Sequence, residues 1–528
     1  MRIKKVVIQN YRCLRKATVH LNDELNIIVG ENECGKSTFI EAINLALSGQ
    51  LNGRPIQGEI HPHLFNRDAV LEYIAGIKNG ARPPAATVEL YLEDLPELAN
   101  LKGTNNSLGE DAPGVVLELA FNADFNDEYA TYIASPDLIK TLPVEYYRCS
   151  LRGFSNNEVT ARSIPLKPSL IDASAMRNGL AANRYVVDIL KDSLTKKEQV
   201  ELALSYRLMK DQFLGDPRIT TINNGLAGKR GTISNKTLSV SLDTTARASW
   251  ESGIMPHLDD IPMPLIGKGE QNKVKIKMAL EASSQSHLVL IEEAESHLSY
   301  ASLNELIGHI KENRGHRQLI ITTHSSFVLN KLGIESVLLF TRDRSIHLKE
   351  LPKSTYEYFM KLAGYDTLRL ILSKRAILVE GPSDELLVQR AYFRTHGKTP
   401  LEDGVDVITV HSLAFKRFLE IARLLNREVD VVTDNDGDPD SVARKYADFG
   451  NVASIHIQYD MDAEFGTLEP QLLKANSRDV LNSILGTTHA TDEDLLAYME
   501  KNKTKVGLAF FDTQNEWVVP EYIARAIR

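Results

Sequence analysis

Cysteine, tryptophan and long apolar segments are all scarce in this sequence of 528 residues. Its three cysteines, Cys13, Cys34 and Cys149, have spacings that fit neither a disulfide framework nor a zinc site. No apolar run approaches the roughly 20 residues that a membrane-spanning helix needs. The opening residues, MRIKKVVIQN, contain an apolar run too short for the core of a signal peptide. We therefore expect a cytoplasmic protein with no membrane association.

An excess of positive charge is also missing, since the formal net charge is −9. This balance argues against a protein that coats nucleic acid, although a local basic strip suffices for a DNA contact. Residues 217–242 form one candidate strip, which contains four basic residues and no acidic one. A solvated loop and a DNA contact are equally good interpretations of that strip. The basic residues are Arg218, Lys229, Arg230 and Lys236.

Residues 28–47, IVGENECGKSTFIEAINLAL, read as a strand, a glycine-rich turn and a helix. Residues 30–37 fit the pattern G-x-x-x-x-G-K-[ST] of a phosphate-binding loop. The glycines let backbone N–H groups turn toward a phosphate, Lys36 reaches the β- and γ-phosphates, and the Ser37 hydroxyl binds Mg²⁺. The sequence therefore predicts a P-loop that binds ATP. The predicted nucleotide contacts are Asn32, Gly35, Lys36, Ser37 and Thr38.

A P-loop requires a carboxylate at the end of a neighbouring strand, which holds the metal's water shell and positions the attacking water. The segment LVLIEEAESHL (288–298) contains an apolar strand that stops abruptly at Glu292 and Glu293. We predict that Glu292 lies near the metal and that Glu293 polarises the attacking water.

This acidic pair, followed by TTHS (322–325) at the end of the next strand, resembles the second half of an ABC-type ATPase of the SMC/Rad50/RecF group. VVIQNYRCL (6–14) is similar to that group's opening strand and Tyr/Phe-Arg turn. The resemblance implies that His324 contacts the γ-phosphate.

IGKGEQ (266–271) resembles the LSGGEQ signature of the same group, with Gly267 in place of the serine and Lys268 in place of the first glycine. The resemblance implies nucleotide contacts from Gly267, Lys268 and Gly269. Either Lys268 supplies charge in place of the signature's usual contact with the γ-phosphate across a head-to-tail dimer, or ATP hydrolysis is slow.

A second α/β domain with its own parallel sheet is predicted from residue 374 onward, because short apolar strands there alternate with helices. ILVEGPSDELL (377–387) ends a strand at Glu380, and Asp384 and Glu385 follow one helical turn later. VDVVTDNDGDPD (429–440) ends another strand in four alternate carboxylates, Asp434, Asp436, Asp438 and Asp440.

Carboxylates gathered at the carboxyl ends of parallel strands suit Mg²⁺ or Mn²⁺, which prefer oxygen ligands. A calcium-binding EF-hand loop is the competing interpretation of D-N-D-G-D. It is disfavoured because a strand precedes the segment and Lys445 stands where the loop's twelfth residue, a glutamate, should be.

The strand end Glu380-Gly381, followed by Asp434-x-Asp436, resembles the Toprim domain of topoisomerases, primases and some nucleases. The resemblance implies a two-metal site that cleaves DNA, with Glu380, Asp434 and Asp436 as catalytic residues. Glu469 is a further candidate ligand, and Lys503 and Lys505 are candidates for neutralising the transition-state phosphate. For these last three residues a solvent-facing position is an equally good interpretation. The predicted metal ligands are Ser37, Glu380, Asp384, Glu385, Asp434, Asp436, Asp438 and Glu469.

An ABC-type ATPase followed directly by a Toprim domain resembles the overcoming-lysogenization-defect (OLD) family of nucleases. EGPSDE and TDND are similar to the subgroup that includes the Gabija nuclease subunit, which acts in bacterial defence against phage. The resemblance implies a nucleotide-regulated, metal-dependent DNA endonuclease that forms a homodimer or homotetramer and uses ATP with Mg²⁺ or Mn²⁺. It also implies that the nuclease acts alone, with a helicase, or with a retron reverse transcriptase and its DNA.

The expected fold class is α/β: an ABC/SMC-like P-loop ATPase with a helical insertion, followed by a Toprim Rossmann-like domain. The predicted boundaries are 1–160 and 256–350 for the two ATPase halves, 161–255 for a helical or dimerisation insertion, 351–373 for a linker helix and 374–528 for the Toprim nuclease domain.

Two other functional classes compete with the nuclease. A RecF- or Rad50-like DNA-repair clamp without nuclease activity needs no second metal site, so the carboxylates at Glu380 and Asp434 argue against it. The other class is a primase or a strand-passing topoisomerase subunit. The sequence lacks the zinc-ribbon cysteines expected of a primase and shows no evident tyrosine nucleophile for strand passage.

Overall fold

The apolar runs of the sequence become the strands of three larger sheets in the computed structural model. The structure describes residues 1–30, 33–136, 139–172, 187, 190–191, 194–230, 235–243, 250–281, 287–313, 315, 317–340, 345–361, 369–371, 373–410 and 414–528. Within these residues no helix is both long enough and apolar enough to cross a bilayer.

Apolar segments at 3–9, 25–29, 87–93, 114–121, 287–293, 318–324 and 337–340 predict seven strands before residue 350. The strands of the structure include all seven, together with others that the sequence does not predict. They are β1 (Ile3–Tyr11), β2 (Leu14–His20), β3 (Leu25–Val29), β4 (Gln50–Leu51), β5 (Arg54–Pro55), β6 (Ala86–Leu92), β7 (Lys102–Gly103), β8 (Ala112–Phe121), β9 (Tyr147–Gly153), β10 (Pro168–Asp172), β11 (His257–Leu258), β12 (Ile261–Pro262), β13 (Leu288–Glu292), β14 (Gln318–Thr322), β15 (Val337–Phe340) and β16 (Ser345–His347).

The helices in the same part of the chain lie between and after these strands. They are α1 (Lys36–Ser48), α2 (Arg67–Gly76), α3 (Asn126–Ile133), α4 (Lys196–Leu214), α5 (Pro217–Ala227), α6 (Trp250–Gly253), α7 (Lys268–Glu281), α8 (Tyr300–Asn313), α9 (Ser326–Leu332) and α10 (Lys353–Lys361).

An antiparallel sheet contains the opening strand of the chain. Its strands have the order β2-β1-β6-β8-β7, and β9 also pairs with β8. The predicted strands at 3–9, 87–93 and 114–121 are confirmed as β1, β6 and β8.

A parallel sheet places the strand before the P-loop beside the acidic strand. β13 pairs with β14 and β14 with β3, all in parallel, and β10 extends the row on the other side of β13. The four apolar residues of β13 are buried, as expected for a strand covered on both faces. Because parallel strands end at the same edge, the segments that follow β3, β13 and β14 meet there.

Where the structure describes it, the segment between the two halves of the predicted ATPase contains the strand β10 and the helices α4, α5 and α6. The helical spacing of residues 184–213 predicts a helix there. α4 begins with a capping box in which Thr195 and Glu198 each accept the other's backbone N–H. The helix predicted over 184–213 is therefore confirmed from Lys196 onward, and residues 184–186, 188–189 and 192–193 lie outside the described part. The candidate basic strip is not a simple loop, because its first residues form α5.

The C-terminal region has a four-stranded parallel sheet, as predicted. The strand order is β18-β17-β19-β20 and every neighbouring pair is parallel. Its strands are β17 (Arg375–Val379), β18 (Val405–Thr409), β19 (Glu428–Val432) and β20 (Ile455–Gln458). Its helices are α11 (Pro382–His396), α12 (Phe415–Leu425), α13 (Pro439–Lys445), α14 (Leu468–Ala475), α15 (Arg478–Leu485), α16 (Asp492–Lys501), α17 (Lys503–Asp512) and α18 (Glu521–Ala526).

Two compact units divide the chain. The first comprises Met1–Ile28, Gly35–His324 and Arg342–Ser345, and the second comprises Val29–Cys34, Ser325–Thr341 and Ile346–Arg528. A core of aliphatic and aromatic side chains, including Leu387, Leu472 and Phe510, packs between the helices and the four-stranded sheet of the second unit.

Candidate functional site

Gly35, the second glycine of the P-loop pattern, has a left-handed backbone conformation just before α1. Gly35 has a φ of +104°, and an added Cβ would come within 2.7 Å of the Leu14 side chain. Both constraints favour glycine there. Lys36 opens α1 and is only 7% exposed, whereas Ser37 is exposed at the helix N-terminus. Thr38 is half-buried, with its hydroxyl 3.3 Å from Cys13 Sγ. Asn32 lies outside the described residues.

The acidic strand β13 ends at Glu292, and Glu293 begins a sharp turn. Glu293 has a φ of +49°, a left-handed conformation that is costly for a residue with a side chain. Two hydrogen bonds stabilise this turn: the Glu293 N–H donates to Thr322 Oγ1 at 3.1 Å, and Ser296 Oγ donates to the Glu293 carboxylate at 2.9 Å. The backbone of Glu293 is thus held beside the end of β14, and its carboxylate is held by Ser296.

His324 follows β14 and is tied to the acidic turn by Glu295. The Glu295 carboxylate accepts from the backbone N–H of His324 at 2.5 Å and from Thr323 Oγ1 at 2.8 Å. Burial, and then the charge of Lys36, lowers the pKa of His324, so the imidazole is neutral at neutral pH. A neutral imidazole near Lys36 suits a donor to a phosphate oxygen. Sequence reasoning did not assign Glu295 a role, although it is the third acid of the EEAE segment.

The signature-like segment opens α7, as predicted. Lys268 is the first residue of the helix and is exposed, and Gly267 has open space where a Cβ would stand. Gly269 is different, because an added Cβ would come within 2.4 Å of the His297 carbonyl oxygen. A glycine at 269 therefore allows α7 to lie against the turn that follows Glu293.

A second set of acidic side chains gathers at the carboxyl end of the four-stranded sheet. β17 and β19 are neighbours, with Leu378 opposite Val431, so the residues after them emerge side by side. The Glu380 carboxylate accepts from Thr433 Oγ1 at 2.5 Å and from the Asp434 N–H at 3.1 Å. The structure thus brings together the two strand ends that the sequence singled out.

Asp384 and Asp434 are held in the structure at an electrostatic cost. Asp384 accepts from the Gly381 N–H at 3.0 Å in the first turn of α11. Burial, and then the charge of Glu380, raises the pKa of Asp384 to about 7. Burial, and then Asp384 and Glu380, raises the pKa of Asp434 to about 8. Both shifts have the same two causes, which are the poor solvation of the buried carboxyl groups and then the repulsion between neighbouring carboxylates.

Glu469 and Lys503 complete this group from two helices. Glu469 is 1% exposed in the first turn of α14, and its carboxylate lies 3.0 Å from Lys503 Nζ. Burial alone would lower the pKa of Lys503, but the Glu469 ion pair and the charges of Asp434 and Asp384 outweigh it, so that pKa is raised. Gly507 brings α17 close to α11, since an added Cβ would lie 3.1 Å from Ser383 Cα. The acidic group defined here consists of Glu380, Asp384, Asp434 and Glu469.

Four other predicted residues are placed elsewhere or at the edge of the acidic group. Glu385 accepts from Thr409 Oγ1 at 2.7 Å, Asp438 caps α13, and Lys505 Nζ lies over the Tyr498 ring at 5.6 Å from its centroid. Asp436 is exposed, and its charge raises the pKa of Asp434. Their proposed roles remain predictions.

The donor chemistry of the acidic group fits a hard divalent cation, because all four side chains offer carboxylate oxygens. Within the described residues, no set of three or more His, Cys, Asp or Glu side chains is close enough to hold one ion as it stands.

Family models match three segments of the chain. Residues 1–81 match "AAA ATPase domain", residues 253–330 match "AAA domain, putative AbiEii toxin, Type IV TA system", and residues 371–436 match "Overcoming lysogenization defect protein-like, TOPRIM domain". The predicted order of an ATPase followed by an OLD-like Toprim domain is confirmed, and so is the predicted α/β fold class. The chain has the domain combination of an OLD-family ATPase–Toprim protein.

Solved structures similar to the chain include SMC heads and a recombination mediator. The SMC head domain from Thermotoga maritima is 15% identical, with a TM-score of 0.31 over 66% of this chain and 99% of that chain. The Smc head domain bound to the C-terminal domain of ScpA, from Pyrococcus furiosus, is 13% identical, with a TM-score of 0.36 over 69% and 100%. RecF with ATP is 12% identical, with a TM-score of 0.34 over 66% and 97%. A search of curated proteins gave no match.

Proposed function

We propose that this protein is a divalent-metal-dependent DNA endonuclease whose cleavage is regulated by ATP. The observation that carries the proposal is the acidic group itself: four carboxylates from two strand ends and two helices, beside one lysine. Burial, and then neighbouring carboxylates, raises the pKa values of Asp384 and Asp434, and a bound cation would favour their ionised forms. The match to an OLD-like TOPRIM domain supports the same chemistry.

In this proposal Glu380, Asp384, Asp434 and Glu469 hold Mg²⁺ or Mn²⁺, which supplies Lewis-acid stabilisation of the attacking and leaving oxygens of the scissile phosphate. Thr433 and the Asp434 N–H fix the orientation of the Glu380 carboxylate. Lys503 stays protonated and offers its ammonium to the charge that develops on the phosphate. Lys505 packs on Tyr498 and is the less favourable candidate for that role.

The nucleotide site has the parts needed to bind ATP and act on it. Lys36 and the turn at Gly35 contact the phosphates, Ser37 binds the magnesium ion with Glu292 nearby, Glu293 polarises the attacking water, and a neutral His324 donates to the γ-phosphate. Gly267, Lys268 and Gly269 contact the nucleotide of a second copy in a homodimer or homotetramer. This last part of the proposal rests on the sequence resemblance.

A biological role in anti-phage defence is part of the proposal and rests on the resemblance of EGPSDE and TDND to the Gabija subgroup. The same resemblance supports a helicase or a retron reverse transcriptase with its DNA as a partner. The candidate basic strip offers one place for DNA: its Arg218 is exposed and pairs with Asp216 at 2.6 Å.

Cleavage of supercoiled plasmid tests the proposed activity. Purified full-length protein is incubated with plasmid and Mg²⁺ or Mn²⁺, beside Asp434→Asn and a matched control, Asp448→Asn, which changes an exposed carboxylate of the same domain. We expect nicked or linear DNA with the wild type and with Asp448→Asn, and none with Asp434→Asn. Relaxed, unbroken circles would indicate a topoisomerase, and equal cleavage by Asp434→Asn would contradict the assigned metal centre.

Lys36→Ala tests the proposed regulation by nucleotide. The change removes the phosphate contact but leaves the acidic group intact, so cleavage by the variant should no longer respond to ATP while Mn²⁺ binding in the absence of nucleotide stays unchanged. Identical cleavage by both proteins at every ATP concentration would exclude regulation through this site.

A further inference from the structure

The acidic turn that follows β13, residues 293–298, has an unfavourable backbone conformation at two positions. Glu293 has a φ of +49° and His297 has a φ of +63°, and residues that carry a side chain rarely adopt this left-handed region. Such a conformation costs free energy and persists only where the surrounding structure holds it in place. The contacts that hold the acidic turn therefore also determine where Glu293 lies.

Hydrogen bonds from two directions hold the acidic turn. On one side, the Glu293 N–H donates to Thr322 Oγ1 at the end of β14, at 3.1 Å. On the other side, Asn272 of α7 donates from its side-chain amide to the Ser296 carbonyl oxygen at 3.1 Å, and Asn272 is only 4% exposed. The acidic turn is thus fixed between the end of β14 and the helix that begins in the signature-like segment.

Glu295 adds a link at two points between the acidic turn and the residues that follow β14. One oxygen of its carboxylate accepts from the His324 backbone N–H at 2.5 Å, and the other accepts from Thr323 Oγ1 at 2.8 Å. Thr323 is fully buried, and its own N–H donates to the Ile28 carbonyl oxygen of β3 at 3.2 Å. Because hydrogen bonds to a carboxylate are stronger than those to a neutral acceptor, Glu295 fixes the His324 backbone relative to the acidic turn.

We propose that Glu295 is a positioning residue of the nucleotide site, which holds His324 and the acidic turn in the relation that ATP hydrolysis requires. The inference rests on the proposed function, because it requires His324 to contact the γ-phosphate and Glu293 to polarise the attacking water. Glu295 acts through these two residues. The alternative is a structural role, in which Glu295 only stabilises the fold around β14. A structural role predicts the same weakening for every nucleotide, whereas positioning of His324 affects only a nucleotide that has a γ-phosphate.

Nucleotide affinities of the full-length protein separate the two roles. Isothermal titration calorimetry gives the Kd for ADP and for a non-hydrolysable ATP analogue, adenylyl imidodiphosphate, with the wild type, Glu295→Ala and Glu198→Ala. Glu198 is the matched control, since its carboxylate also accepts from a backbone N–H and a threonine hydroxyl, both of Thr195 at 2.7 Å. We expect Glu295→Ala to raise the Kd for the ATP analogue about fivefold and to leave that for ADP unchanged. Glu198→Ala should change neither. An unchanged Kd for the analogue in Glu295→Ala, or an equal rise for both nucleotides, would overturn the proposal.

A double variant tests whether Glu295 acts through His324. His324→Ala alone should raise the Kd for the ATP analogue at least as much as Glu295→Ala does, because it removes the group that Glu295 positions. Adding Glu295→Ala to His324→Ala should then have little further effect, since the effects of two residues that act together are not additive. Fully additive losses would show that Glu295 affects the γ-phosphate by another route and would contradict the inference.

Glu295→Gln keeps the test independent of how well the alanine variant folds. The glutamine has the same shape, and its amide can accept from the His324 N–H and donate to Thr323 Oγ1. The rate of ATP hydrolysis at saturating ATP should fall about tenfold or more in Glu295→Ala, because the reacting groups are misplaced. It should fall less than about threefold in Glu295→Gln. Equal losses in the two variants would contradict positioning. A wild type that binds both nucleotides no better than Lys36→Ala would instead contradict the proposed nucleotide site itself.

Discussion

The candidate nucleotide site and the proposed metal centre both lie at the carboxyl ends of parallel strands, but they balance charge in opposite ways. At the nucleotide site, the Glu295 carboxylate accepts two hydrogen bonds, and the nearby His324 is held neutral by burial and Lys36. At the metal centre, four carboxylates crowd together, and among the described residues one ammonium, that of Lys503, forms an ion pair with them.

This difference indicates which kind of ligand each site binds best. A site with a buried lysine at the N-terminus of a helix, as Lys36 is placed at the start of α1, suits an anionic ligand such as a phosphate chain. A site whose carboxylates raise one another's pKa suits a cation, because binding a positive ion relieves the repulsion. The predictions below test whether the two sites really differ in this way.

The largest expected effect comes from removing the lysine of the metal centre. Lys503→Met should lower the rate of plasmid cleavage about 100-fold or more, because it deletes a charge aimed at the transition-state phosphate. Lys505→Met, two residues along the same helix, should change the rate less than twofold. Equal losses in the two variants, measured as initial rates at saturating Mn²⁺, would remove the distinction between the two lysines.

A comparable loss of activity is expected at the nucleotide site when a glutamate is replaced by glutamine, which has the same shape. Glu293→Gln should lower ATP hydrolysis about 100-fold and leave nucleotide binding intact, since the amide no longer polarises water. Glu312→Gln, an exposed residue of α8, serves as the control. Hydrolysis is measured by phosphate release, and retention of the wild-type rate by Glu293→Gln would show that another group acts on the water.

Two glycines of the signature-like segment differ in the space around them. Gly269→Ala should destabilise the fold by about 1–3 kcal/mol because its Cβ meets the His297 carbonyl oxygen, as overpacking generally does. Gly267→Ala, with open space, should stay within about 0.5 kcal/mol of the wild type. Chemical denaturation measures both, and equal stability would mean that α7 shifts freely away from the turn.

The smallest expected effect is the pH dependence of stability without metal. Asp384 and Asp434 hold their protons to about pH 7 and 8 in the fold, far above the usual range for an aspartate. The folded state therefore binds more protons than the unfolded state between pH 4 and 8, so stability falls as the pH rises through this window. The Tm of metal-free Asp434→Asn should fall less than that of the wild type, whereas Asp448→Asn should follow the wild type. If the Tm of Asp434→Asn and that of the wild type change with pH in parallel, ionisation of the acidic group does not destabilise the fold.

Part of the acidic group is predictable from the sequence, because the ends of its strands can be recognised there. Glu380 and Asp434 each follow a continuous apolar run, and parallel strands bring their ends together. The roles of residues in the helices that follow these strands are harder to predict, because the direction of each side chain depends on where its helix begins. Asp384 turns back to the Gly381 N–H while adjacent Glu385 reaches Thr409, and Asp438 becomes a helix cap.

Residues that approach from far along the chain leave a weaker signal in the sequence. Glu469, Lys503 and Lys505 are candidates there, but a solvent-facing position is an equally good interpretation of each. Lys503 and Lys505 differ by two positions, which on a helix point to different sides, but nothing in the sequence shows which side faces Glu469.

Anomalous diffraction from a crystal containing Mn²⁺, measured at the manganese absorption edge, shows directly whether the acidic group binds the metal. We predict an anomalous peak among the carboxylates of Glu380, Asp384, Asp434 and Glu469 that disappears in Asp434→Asn. Manganese bound only elsewhere, with these carboxylates still apart, would contradict the assignment of this group as the metal centre.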